Sequence, residues 1–88
     1  MVAYHIAYTK QAVKDIVLLK QAGLAAKAQR LIEIVKSDPF QTPPPYEKLT
    51  GDLKGMYSRR INIQHRFVYE VLEEQHTVKI IRMWKHYE

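Results

Sequence analysis

At 88 residues, with a formal net charge of +5, a pI near 9.6 and no cysteine, the chain has room for one small domain. Disulfides and thiolate metal sites are excluded, and no stretch approaches the roughly 18 apolar residues of a membrane-spanning helix. A basic chain of this kind suits a nucleic acid, an acidic protein or an anionic surface as partner, unless its charge serves solubility alone.

The first residues, Met1 to His5, have neither a basic segment nor a continuous apolar run of signal-peptide length, so a cytoplasmic, membrane-free protein is expected. Val2 to Tyr8 reads as a strand, with Val2, Tyr4, Ile6 and Tyr8 alternating against Ala3, His5 and Ala7. Thr9 offers a hydroxyl to cap a helix over Lys10 to Gln21, whose apolar positions are Ala12, Val13, Ile16, Val17 and Leu19. Gly23 is placed to end it in the left-handed region. Leu24, Ala28, Leu31, Ile32 and Val35 then mark a second amphipathic helix, stopped at Ser37-Asp38-Pro39. So short a break predicts an antiparallel helical hairpin.

Pro43-Pro44-Pro45 reads as a stiff, extended spacer leading to Glu47 and Leu49, and Gly51-Asp52 and Gly55 mark turns. Three strands close the chain, roughly Met56 to Ile61, Arg66 to Leu72 and Thr77 to Trp84, joined by hairpin-length links. The expected fold is a single α+β domain over residues 1–88: a strand, a helical hairpin and a three-stranded antiparallel meander, with the helices on one face.

The two halves of the chain differ in the kind of cation they carry. Four of the five arginines, Arg59, Arg60, Arg66 and Arg82, lie in the later half, and a guanidinium fork fits phosphate oxygens better than a lysine does. On the strand from Arg66, Phe67, Tyr69 and Val71 make the better core face, which leaves Arg66 on the side away from the helices. Both parities of the last strand are mixed, so its faces do not follow from pattern. An open sheet face lined by arginine and ending near His86-Tyr87 suits single-stranded RNA.

RNA cleavage without a metal needs a base for the 2′-hydroxyl proton, a cation for the crowded phosphate and an acid for the departing 5′-oxygen. Glu47, Arg66 and His86 are one residue of each type, although the sequence alone does not bring them together. Plainer roles are open to each: a solvated carboxylate for Glu47, an ion pair with Glu70 or Glu47 for Arg66, an exposed terminal histidine for His86. Tyr57, Tyr69 and Trp84 suit a core or rim as well as a base-stacking platform, and His5, His65 and His76 lack metal-ligand spacing.

In order, Glu47-Lys48-Leu49, Gly55-Met56-Tyr57-Ser58-Arg59-Arg60-Ile61, His65-Arg66-Phe67-Val68-Tyr69 and His86-Tyr87 closely resemble the YoeB/Txe toxins of bacterial toxin–antitoxin modules, within the RelE-like superfamily. The resemblance runs from Tyr46 to Tyr87, about half the chain. It implies a ribosome-dependent mRNA endonuclease that needs neither metal nor cofactor and cleaves messages under translation. By position it assigns Glu47 as general base, Arg66 as phosphate-stabilising cation, His86 as general acid and Tyr87 as an orienting group. Arg59 and Arg60 would hold the RNA backbone, with Lys54, Arg82 and Lys85 as further RNA contacts. The implied partners are mRNA, the ribosome with its ribosomal RNA, and a cognate YefM/Axe-like antitoxin whose acidic C-terminal segment blocks the site; monomer and homodimer stay open. Family members commonly end at the His-Tyr pair, whereas Glu88 follows here, and Lys48 stands where the family carries other residues. The rival reading is a non-catalytic module that binds RNA or an acidic peptide through the same arginines.

Overall fold

The computed structural model describes residues 3–84. Strand β1 (His5–Tyr8) runs into Thr9, whose side chain accepts the Ala12 N–H at 3.0 Å and closes the first turn of α1 (Lys10–Gln21), as expected. The same hydroxyl donates to the Ile81 carbonyl at 2.7 Å, which pins the start of α1 to the far end of the chain. Gly23 turns the chain at φ +75°, and the Leu24 N–H reaches back to the Leu19 carbonyl at 2.8 Å. Helix α2 (Ala25–Ser37) follows and ends at extended Asp38, before Pro39.

The two helices cover one face of a five-stranded sheet. Ala12 and Leu19 of α1, and Ala28, Leu31, Ile32 and Val35 of α2, pack with Phe67, Tyr69, Val78 and Ile80 in a single core. The buried stripe of α1 is narrower than its sequence suggests. Val13 and Val17 are half exposed, at 54% and 53%, because a 3.6-residue period puts them on the flank once Ala12 and Leu19 face the sheet. Among the described residues no helix is long and apolar enough to cross a membrane.

The strand order is β1-β5-β4-β3-β2, where β2 is Tyr46–Lys48, β3 Met56–Arg60, β4 Arg66–Leu72 and β5 Thr77–Arg82. β1 pairs with β5 in parallel, and the other pairs are antiparallel. The meander therefore has four strands rather than three. β2 is a three-residue edge strand, too short to display an alternation, and only its pairing with β3 defines it. The described part of the first strand begins at His5, and the last strand ends at Arg82 rather than Trp84.

A bulge in β5 explains why its faces defeat the alternation rule. Tyr69 pairs with Ile80, yet the preceding Val68 pairs with Arg82, so Ile81 is an extra residue. Before the bulge Val78 and Ile80 point into the core; after it Arg82 shares a row with Val68 on the opposite face. The Thr9 hydroxyl bonds the carbonyl of that same Ile81.

Asp15 lies inside the apolar stripe of α1 and is 1% exposed. Its Oδ2 accepts the Met83 N–H at 2.9 Å and its Oδ1 accepts from the Gln11 side chain at 2.9 Å. A buried carboxylate thus anchors the chain just past β5, at the approach to the C-terminal residues. Asp15→Ala should destabilise the fold by about 2 kcal/mol, measured by urea denaturation, since it strands a buried N–H and removes a charge-assisted acceptor.

Candidate active site

Pairing across β2, β3 and β4 builds a site on the face away from the helices. Glu47 of β2 lies opposite Ser58 of β3, which lies opposite Val68 of β4; two residues along, Arg60 of β3 lies opposite Arg66 of β4. Glu47 and Arg66 are separated by a whole strand, yet Arg66 Nη1 donates to Glu47 Oε1 at 2.9 Å. The ion pair therefore arches over β3. It stands at the rim of an open cleft of about 610 Å³, lined also by Pro44, Ser58, Arg60 and Ile63.

Two of the three residues expected to carry chemistry thus meet. With side-chain exposures of 26% for Arg66 and 67% for Glu47, their pair is open to water and should stabilise the fold by no more than about 1 kcal/mol. Arg60 and Arg66 sit directly opposite one another, an arrangement of like charge that an anion in the cleft would relieve. His86 and Tyr87, and with them Lys85, lie outside the described residues.

The expected RNA contacts divide on inspection. Arg60 is exposed and lines both this cleft and a neighbouring groove of about 350 Å³ that carries Lys27 and Arg30. Arg82 joins the row of Glu47, Ser58 and Val68 on the same face. Lys54 is exposed but sits in the β2–β3 connection, at the other end of β3 from Arg60.

Arg59 corrects the expectation. It is 1% exposed and points into the interior, because it is one residue out of phase with Ser58 and Arg60. Its Nε donates to the Tyr69 hydroxyl at 3.1 Å, Nη1 to the Pro44 carbonyl at 2.6 Å and Nη2 to the Pro39 carbonyl at 3.0 Å. The guanidinium also lies 5.2 Å from the Tyr46 ring centre. Arg59 holds the chain's own proline segment instead of RNA. That segment is bent around the arginine, not drawn out as an extended spacer.

Tyr69 completes the bracket, donating to the Pro39 carbonyl at 2.7 Å. Burial pushes its hydroxyl above the ordinary value of 10.0, and the Arg59 hydrogen bond opposes that rise only in part.

Sequence reasoning passed over Ser58, which forms the cleft floor, and gave His65 no role. His65 is 8% exposed and stacks on Trp84 with ring centres 4.1 Å apart, so the turn before Arg66 grips the chain just ahead of residues 85–88. A signal for Asp15 did exist, a carboxylate at the third position between Ala12 and Leu19 of an apolar stripe.

The fold and the cleft define a class: a small α+β protein of RelE-like architecture with a cationic open sheet face. Residues 8–87 match the profile of the YoeB-like toxins of bacterial type II toxin–antitoxin systems. The chain belongs to that family. It is 39% identical over 61 residues to the toxin YoeB of Streptomyces coelicolor, covering 69% of this chain and 70% of the relative. Its fold superposes on a YoeB/ParE toxin from Agrobacterium tumefaciens with a TM-score of 0.86 at 32% identity, over 94% of this chain and 99% of that one. The toxin in a YoeB–YefM complex from Staphylococcus aureus gives a TM-score of 0.80 at 31% identity, over 96% and 98%.

Two outcomes test this geometry. Arg59→Lys should lower stability by roughly 2 kcal/mol or more in urea denaturation, because an ammonium cannot answer three acceptors held in a planar fork. The stability that neutral Tyr69 lends is present in full below its ordinary value of 10.0 and is lost as pH rises through the higher folded value. Denaturation at increasing alkaline pH should therefore show a decline that Tyr69→Phe flattens.

Proposed function

We propose that this chain is an endoribonuclease that cuts messenger RNA under translation on the ribosome, using its own side chains as base, cation and acid. The observation that carries the reading is the Glu47–Arg66 pair arched across β3 at the rim of a cationic cleft. So weak and exposed a pair opens readily, and a phosphodiester can then enter between its members.

In this reading Glu47 takes the proton of the ribose 2′-hydroxyl, whose oxygen attacks the adjacent phosphorus. Arg66, with Arg60 opposite it, stabilises the negative charge that builds on the phosphoryl oxygens. The bond from phosphorus to the 5′-oxygen breaks, and His86 gives that oxygen a proton while Tyr87 orients the substrate. The products are a 2′,3′-cyclic phosphate and a free 5′-hydroxyl. His86 and Tyr87 take these roles from the family resemblance and from their place shortly after Trp84.

The inhibitor in this reading is an antitoxin of the YefM kind, the partner named in the Staphylococcus aureus complex. An acidic segment of such a partner has the charge to occupy the cleft between Arg60 and Arg66 in place of RNA.

Primer extension on a translated message tests the mechanism. Glu47→Ala, Arg66→Ala and His86→Ala should each lower cleavage by about 100-fold or more, and a 2′-deoxy residue at the cut position should block it. Full cutting of the deoxy substrate would rule out attack by the 2′-hydroxyl, whereas a wild-type protein that leaves the message whole, with an Arg66→Ala that binds RNA less tightly in a steeply salt-dependent way and a His86→Ala without effect, would identify a binding module instead.

A further inference from the structure

Ser58 occupies the middle of the candidate site and has no role in the scheme above. Its register partners are Glu47 on one side and Val68 on the other, so among its two opposite neighbours only Glu47 offers an acceptor. Facing residues of an antiparallel pair have Cβ atoms roughly 5 Å apart, within reach of a hydroxyl and a carboxylate. Among the described residues the side chain nevertheless finds no hydrogen-bond partner. Ser58 is 2% exposed, and its Oγ is closed off from solvent without a hydrogen bond.

The cause of that isolation is the arch above it. The Glu47 carboxylate extends across β3 and joins the Arg66 guanidinium at 2.9 Å, with no hydrogen bond to Ser58. A buried hydroxyl left unanswered is uncommon and disfavours the state that contains it. A state in which Glu47 turned onto Ser58 would satisfy both groups.

We infer that Ser58 is a positioning residue, whose hydroxyl takes hold of the Glu47 carboxylate when the substrate phosphate draws Arg66 away. The inference rests on the nuclease reading and deepens it. In the free protein Arg66 fixes Glu47; with RNA in the cleft Arg66 turns to the phosphate, and the base would swing freely unless another donor held it. Ser58 Oγ–H is that donor, rising from a central strand whose backbone is paired on both sides. The exchange leaves no member of the group without a partner. It also favours the charged, proton-accepting form of Glu47.

The test compares Ser58→Ala, Ser58→Cys and Ser58→Thr with the wild-type protein, reading kcat, KM and the pH profile of cleavage of a translated message, with thermal melting alongside. Loss of one hydrogen bond to a charged group predicts a fall in kcat of roughly 10- to 100-fold for Ser58→Ala, with KM unchanged. The acid limb of the kcat profile should move to higher pH, because a carboxylate without its donor protonates more readily. Ser58→Cys fills the same space with a poor donor and should fall with alanine, whereas Ser58→Thr keeps the hydroxyl and should stay within a few-fold of wild type. Ser58→Ala should melt no lower than wild type, since it removes an unsatisfied buried group. Wild-type kcat with an unshifted acid limb in Ser58→Ala, an effect confined to KM, a fully active Ser58→Cys, or a fall in activity that tracks a fall in melting temperature would each overturn the assignment. A wild-type protein that leaves the message whole would instead remove the nuclease reading, and this inference with it.

Discussion

A guanidinium at 1% exposure persists in a protein interior only if its donors are answered, and Arg59 finds its acceptors on both sides of a structural seam. On one side stands the Tyr69 hydroxyl of the central strand β4; on the other are the carbonyls of Pro39 and Pro44. Proline has no N–H, so a segment rich in it cannot join a sheet through its own donors and must be held through its carbonyls. Arg59 supplies that hold. Two residues past Pro44 the chain becomes β2, and the carboxylate of Glu47 takes its place from there. Rings reinforce the bracket: Phe40 packs edge-on against Tyr57 at 5.2 Å, and Tyr57 lies 5.7 Å from both Tyr46 and Tyr69.

The sheet divides the labour between its faces. Toward the helices it is apolar and closed, with Phe67, Tyr69, Val78 and Ile80 fully buried. Away from them it carries Glu47, Arg60 and Arg66 at a cleft, with Arg82 on the same face, and the Glu47–Arg66 pair across β3 is worth little energetically. A rigid floor with a weakly closed top suits a site that must exchange its own carboxylate for a substrate anion. The same cationic face suits an acidic inhibitor, and in the proposed reading RNA and antitoxin compete for it because both present anions.

Three contacts place the last described part of the chain relative to this floor. The bulge at Ile81, held by Thr9, turns Arg82 onto the cleft face. Asp15 takes the Met83 N–H, and the His65–Trp84 stack ties the next residue to the turn that carries Arg66. Tertiary contacts from α1, β1 and the β3–β4 turn thus converge just before residues 85–88.

Much of this was legible in the sequence because local rules suffice for it. Both helices, the Thr9 cap, the turn at Gly23 and the core face of β4 follow from periodicity and from what single residues can do with their backbone. So does the family, through the ordered residues around Ser58-Arg59-Arg60-Ile61 and His65-Arg66. Other features depended on partners far along the chain. Three residues cannot advertise an edge strand, so β2 emerged only from its pairing with β3. One inserted residue reverses the parity of β5, so Arg82 took its face from a bulge. Adjacent arginines look alike as letters, yet alternation on a strand sends Arg59 inward and Arg60 outward, and the Tyr69 hydroxyl together with the carbonyls of the bent proline segment makes the inward choice tolerable. Residue types and local shape belong to the sequence; which charges meet, across an intervening strand, belonged to the tertiary fold, because that meeting is set by register between segments with no local signal in common.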